Sequence, residues 1–191
     1  MQTRLELIYG DIMDAEVDAI VNPTDLVLSG GGGLDSVIRQ AAGEEVNRAC
    51  EEIRESRGGC QTGEAVITPA GNLSVKHIIH TVGPIWIGGG IGEPKMLESC
   101  HRECLQLAVE NGVQSIAFPA ISTGTFRYPL EKAALVALKA VTEFVEQTQR
   151  HDGSVPRLIQ FFLFQEEAYM CYVKALSDLG FRLSCFLGQE K

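Results

Sequence analysis

Cationic charge is scarce in this sequence: 16 Lys and Arg stand against 25 Asp and Glu, leaving a formal net charge of −9. Nucleic-acid binding draws most of its affinity from clustered Lys and Arg, so nucleic acid is not the expected partner. Long apolar runs are missing too. No stretch reaches the roughly 18 residues of a membrane span, and Met1-Gln2-Thr3-Arg4 leads into no signal-type segment. A soluble protein away from membranes is expected, cytoplasmic or, in a eukaryotic cell, nuclear. The six cysteines (Cys50, Cys60, Cys100, Cys104, Cys171, Cys185) lack the density of a secreted disulfide framework and read as reduced thiols. The standard nucleotide motifs are absent as well. There is no G-x-x-x-x-G-K-[ST], and the cluster from Gly30 to Asp35 lacks the third glycine of G-x-G-x-x-G, which excludes a P-loop and an ordinary Rossmann fingerprint. No Ser-His-Asp arrangement, internal repeat or low-complexity tract is evident.

What is present is the composition of one ordinary globular domain over residues 1–191, 45% hydrophobic and 21% charged, expected as a monomer. Apolar periodicity predicts strands over 4–9, 18–22, 65–68, 75–82, 115–119, 158–164 and 181–187. Helices are predicted over 34–42, 44–57, 95–111, 129–149 and 166–179, with glycine or proline at most boundaries. The stretch 85–94 carries four glycines and no helical period, and is expected to be a mobile loop. Strands alternating with helices imply an α/β fold, a three-layer α/β/α sandwich. Its sheet should be mixed, because only a turn separates the two strands between 65 and 82.

Chemistry is expected at Asn22-Pro23-Thr24-Asp25-Leu26-Val27-Leu28-Ser29-Gly30-Gly31-Gly32-Gly33-Leu34-Asp35, where a strand ends, four glycines follow and a helix begins. Glycines let backbone N–H groups converge on a bound group, and a helix N-terminus favours negative charge, so the stretch suits a phosphate or diphosphate; a bare connector is the alternative. A second polar, glycine-containing turn, 120–129, follows another strand. Ligands of open α/β sheets lie beyond the carboxyl ends of strands, so the two turns can flank one crevice.

Five ordered motifs then resemble the macrodomain family. They are Gly10-Asp11-Ile12, Asp18-Ala19-Ile20-Val21-Asn22, Gly31-Gly32-Gly33-Leu34-Asp35, Ile79-His80-Thr81-Val82-Gly83-Pro84 and Ala117-Phe118-Pro119-Ala120-Ile121-Ser122-Thr123-Gly124. The Gly-Gly-Leu-Asp segment is similar to the MacroD-type group. The resemblance implies ADP-ribose as ligand or product, no cofactor or metal, and ADP-ribose or an ADP-ribosylated protein as partner. It further implies hydrolysis of ADP-ribose esters on acidic side chains and of O-acetyl-ADP-ribose, with a non-catalytic ADP-ribose reader as the alternative.

Carried over by position, the resemblance places Asp11 on the adenine amino group, with the Ile12 backbone beside it, and Asn22 on the distal ribose. Gly31, Gly32, Gly33 and Leu34 would line the diphosphate and distal ribose. Ser122, Thr123, Gly124, Thr125 and Phe126 would wrap the phosphates from the other side. Phe164 would stack on adenine or pack in the core, where Phe161 and Phe162 are expected. Asp35 would activate water, with Asp25 as its catalytic partner, orienting a water or bonding a ribose hydroxyl.

Three positions depart from the family pattern. Asp25 stands where the family has the second Asn of Asn-Ala-Ala-Asn. Arg39 replaces a frequent His and would pair with Asp35 or face solvent. Arg127 replaces a common glycine, adding a phosphate contact or stiffening its loop. Pro23-Thr24 matches macro-histone variants known as binders. Cys100-His101-x-x-Cys104 reads as buried or surface thiols rather than a metal site, and His80 as a satisfied core residue.

Overall fold

The computed structural model describes residues 3–150 and 154–180. Six strands form one sheet: β1 Arg4–Tyr9, β2 Ala19–Pro23, β3 Ala65–Pro69, β4 His77–Thr81, β5 Ser115–Phe118 and β6 Leu158–Leu163. Their order is β1-β6-β5-β2-β4-β3. All neighbours pair in parallel except β3 and β4. The antiparallel pair follows from its short connection, since only a crossover can return a chain for parallel pairing. The strand predicted over 181–187 lies outside the described residues.

Five helices cover the sheet: α1 Gly33–Ala42, α2 Glu44–Arg57, α3 Glu93–Glu110, α4 Leu130–Arg150 and α5 Glu166–Asp178. One face buries Ile20, Ile78 and Val66 against Ile38 of α1 and Val46 and Cys50 of α2. The opposite face buries Val21, Ile79, Ile116, Phe118 and Phe161 against α3, α4 and α5. These alternate positions along each strand produce the three layers, as the period of two requires. Asp18 staples β2 to its neighbours: Oδ2 accepts from the N–H groups of Gln114 and Ser115, and Oδ1 pairs with Lys76 at 2.7 Å. No helix among the described residues is long and apolar enough to cross a membrane.

Residues 85–92 form a loop, as expected, but it ends two residues earlier than predicted. Helix α3 starts at Glu93, and its fully buried carboxylate accepts from the backbone N–H groups of Ile87, Gly89 and Ile91. Three charge-assisted bonds tie the segment to the start of α3, an anchor that a glycine count cannot show.

Candidate functional site

A cleft of about 600 Å³ opens beyond the carboxyl ends of β2, β5 and β6. The loop between β2 and α1 supplies Asp25, Gly31, Gly32, Gly33, Leu34 and Asp35 to its wall. The loop between β5 and α4 supplies Ser122, Thr123, Gly124, Thr125 and Phe126. The two loops meet because β2 and β5 are adjacent in the sheet.

The first loop is built on two side chains. Asp25 Oδ1 accepts from the N–H groups of Val27 and Ser29, both at 3.0 Å, and Oδ2 accepts from the Ser29 hydroxyl. Burial opposes the charge on Asp25, but the Ser29 hydroxyl and these N–H groups outweigh it and hold the carboxyl below its usual range. Beneath the loop lies Arg39, only 8% exposed. It neither pairs with Asp35 nor faces solvent. Its guanidinium donates to the Leu28 carbonyl at 3.0 Å and to the Val46 carbonyl at 3.5 Å, clamping the loop to α2. Thus Asp25, expected to share in the chemistry, spends both oxygens on the loop's shape.

Held this way, the glycine run leaves its backbone donors free. Among the described residues, the N–H groups of Gly31, Gly32, Gly33 and Leu34 meet no protein acceptor, and α1 begins there. The second loop mirrors the first. Thr123 Oγ1 donates to the Ala120 carbonyl and the Tyr128 N–H to the Ser122 carbonyl, while the N–H groups of Gly124, Thr125 and Phe126 meet no acceptor among the described residues. Gly83 lies under this loop, where a Cβ would collide with the Ser122 side chain. Arg127 is exposed at φ 54°, and its N–H bonds the Gly124 carbonyl. A left-handed residue there accounts for glycine being the common choice in the resembling family.

Asp35, in the first turn of α1, is 4% exposed and borders the cleft. Its Oδ1 accepts from Asn22 Nδ2 and its Oδ2 from Thr24 Oγ1, both at 2.7 Å. Asn22, expected on a ribose, is fully buried, and its amide nitrogen is shared between Asp35 and His80 Nδ1 at 3.0 Å. It does not reach the cleft wall. Asp11 and Ile12 also stand outside that wall: Asp11 Oδ1 caps the 3-10 turn Ile12–Asp14 through the Met13 N–H, and Ile12 is buried. They lie beside the end of β6, since the Gly10 N–H bonds the Leu163 carbonyl. Phe164, just beyond, is 73% exposed on the cleft edge, so it is not a core residue, whereas Phe161 is core and Phe162 is buried while also touching the cleft.

Thr68 is a polar side chain of this region that the sequence does not single out, and Thr24 stands out there only as part of the Pro23-Thr24 pair and not as a partner of Asp35. Thr24 looks like a turn residue until α1 brings Asp35 back to it, and Thr68 meets His80 only across the β3–β4 pair. His80 is the satisfied core histidine expected, with burial pushing its pKa down to about 3. Among the described residues no group of His, Cys, Asp and Glu is placed to hold a metal ion. His101 packs against Phe118 and Phe161, with its pKa lowered by burial to about 4. Burial raises the Cys100 thiol to about 11.

Two neutral buried histidines imply acid sensitivity. Folded pKa values of about 3 and about 4 lie below the ordinary 6.5, so the unfolded chain binds protons that the folded chain refuses. Stability is therefore full above pH 6.5 and falls as pH drops toward 4. Each histidine should remove about 2 kcal/mol between pH 7 and pH 5. Urea unfolding at those two pH values checks this; equal midpoints would contradict it.

The Macro domain family profile matches residues 21–137. The O-acetyl-ADP-ribose deacetylase of Salmonella typhimurium is 47% identical over 180 residues, covering 94% of this chain and 98% of that protein. Among solved structures, the Oceanobacillus iheyensis macrodomain with ADP superposes with a TM-score of 0.84 at 38% identity, over 92% of this chain and 90% of that one. The Trypanosoma brucei macrodomain in complex with ADP-ribose gives 0.80 at 36% identity, over 91% of this chain and 69% of that one.

Proposed function

We propose that this chain, which belongs to the macrodomain family, binds ADP-ribose and hydrolyses its esters, O-acetyl-ADP-ribose and ADP-ribosylated acidic side chains of proteins. One observation carries the reading: two rows of backbone N–H groups without a partner among the described residues line a single cleft, and a buried carboxylate borders it. An acidic chain of net charge −9 must hold a diphosphate by such backbone donors rather than by a basic surface. Relatives and neighbours named for O-acetyl-ADP-ribose deacetylation and bound to ADP-ribose support the same ligand.

In this reading adenine stacks on Phe164, with Asp11 accepting from its amino group and the Ile12 backbone alongside. Gly31, Gly32, Gly33 and Leu34 receive the diphosphate and distal ribose, and Ser122, Thr123, Gly124, Thr125 and Phe126 close over the phosphates. Asp35 orients a water toward the ester carbonyl. A carboxylate offers about four acceptor sites, and two are taken by Asn22 and Thr24, so capacity remains for a water. As the water oxygen bonds the carbonyl carbon, its proton passes to Asp35; collapse releases the ribose oxygen, which takes that proton. Fixed position and general-base help supply the rate.

Calorimetric titration should give micromolar affinity for ADP-ribose and at least about tenfold weaker binding of AMP, with the melting temperature raised by ADP-ribose through linkage. Equal affinities would remove the distal half of the site. Incubation with O-acetyl-ADP-ribose and with glutamate-linked ADP-ribosyl protein should then release ADP-ribose. Tight binding without release would leave a reader.

A further inference from the structure

We propose that His80 is a positioning residue for this hydrolysis, acting through Asn22 to orient Asp35; the inference rests on the hydrolase reading above. His80 lies opposite Asn22 in the parallel β2–β4 register, one strand over from β2, and is not among the residues that line the cleft. Beyond it Thr68 reaches in from β3. The three side chains therefore form a row across β2, β4 and β3 that ends on Asp35.

The hydrogen bonds in this row admit one arrangement of protons. Asp35 is an acceptor, so the group that Asn22 turns toward it must be the amide NH2, at 2.7 Å. The second proton of that NH2 points to His80 Nδ1 at 3.0 Å, which must then carry a lone pair. A neutral ring protonated at Nε2 results. Its N–H donates to Thr68 Oγ1 at 2.9 Å, and the Thr68 hydroxyl donates onward to the Pro69 carbonyl at 2.9 Å. Cys50 Sγ, 3.8 Å from Nε2, is a weak contact, and burial with the nearby Arg39 charge keeps the ring neutral. Asn22 Oδ1 has no partner among the described residues, so the amide's own bonds to Asp35 and His80 are what set its orientation. Without an acceptor at Nδ1, only the bond to Asp35 still opposes rotation of the amide, and the 2.7 Å contact that fixes Asp35 Oδ1 loosens. Misplacement of a catalytic group by about 1 Å costs on the order of 100-fold in rate.

The prediction separates position from mere packing. His80→Asn places an amide oxygen where Nδ1 stands and preserves the acceptor for Asn22. His80→Gln reaches the Thr68 side and leaves none. With O-acetyl-ADP-ribose as substrate, kcat should fall within about fivefold for His80→Asn and on the order of 100-fold for His80→Gln, with KM and the ADP-ribose Kd within about threefold of wild type in both. Thr68→Val, nearly isosteric, removes the group that pins the tautomer and should lower kcat by about tenfold with KM unchanged; it decides the matter alongside His80→Asn should His80→Gln not fold. Equal kcat in the two His80 variants, or losses that follow ADP-ribose affinity, would overturn the proposal. A wild type that binds ADP-ribose without turnover overturns the hydrolase reading and this inference with it. An active wild type matched by an equally active His80→Gln overturns this inference alone.

Discussion

Gly32→Glu should abolish ADP-ribose binding while leaving the protein folded. Among the described residues nothing lies within 4 Å of where a Cβ at Gly32 would stand, so the new side chain has room to enter the cleft that Gly32 lines, although φ 157° is backbone that residues other than glycine rarely adopt and the exchange costs about 1–3 kcal/mol. The core does not touch this position. What changes is the ligand's place: the glutamate carboxylate would stand at the start of α1 beside unpartnered N–H groups, where a phosphate is expected. Two like charges about 4 Å apart at an effective dielectric of about 20 repel by about 4 kcal/mol, or about a thousandfold in Kd. Calorimetry should show no measurable binding, and the backbone strain should lower the melting temperature without ligand by roughly 2–12 °C while the variant stays folded. A folded variant of normal affinity would make the glycine run a connector and remove the phosphate cradle from the proposal.

Asp35→Ala should lower hydrolysis of O-acetyl-ADP-ribose on the order of 1000-fold and leave ADP-ribose affinity within about threefold. The carboxylate borders the cleft but is 4% exposed, so its removal deletes a proton acceptor without deleting the surface that holds the ligand. The variant should also lose stability. Asn22 Nδ2 and Thr24 Oγ1 each donate to Asp35, and each unpaired buried donor costs about 1–3 kcal/mol. Turnover and affinity are best compared well below the lowered melting temperature. Retained turnover would make Asp35 a scaffold for the loop, and a parallel loss of affinity would make it a binding residue.

The departures from the family pattern take on different meanings once the loop is seen. Asp25 and Arg39 both serve the conformation of residues 24–32, one from within the loop and one from below. Neither therefore argues for a reader over an enzyme. Thr24, part of the Pro-Thr pair whose resemblance to macro-histone variants pointed toward a reader, here donates to Asp35 and helps hold it in place.

Much of this protein was decided by residues close in sequence. Alternation in 4–9, the apolar run 158–164, helical spacing in 34–42, the proline that opens the helix predicted over 129–149 and the glycine boundaries are local signals, and the elements lie within a residue or two of where those signals end. The antiparallel β3–β4 pair was determined locally as well, by a turn too short for a crossover. The placement of Gly31, Gly32, Gly33 and Asp35 at one strand-to-helix junction is likewise local. Tertiary structure alone decided what those residues face. Sheet order set β4 beside β2 and β3 beside β4, and so aligned Asn22, His80 and Thr68, although 58 positions separate Asn22 from His80. It also turned Phe164 out to the cleft edge and buried Glu93 under three N–H groups of the preceding loop. The physical reason is one of range. Backbone propensity and apolar period act over a few residues, whereas a buried polar group takes whichever partner the packed sheet and helices bring within about 3 Å.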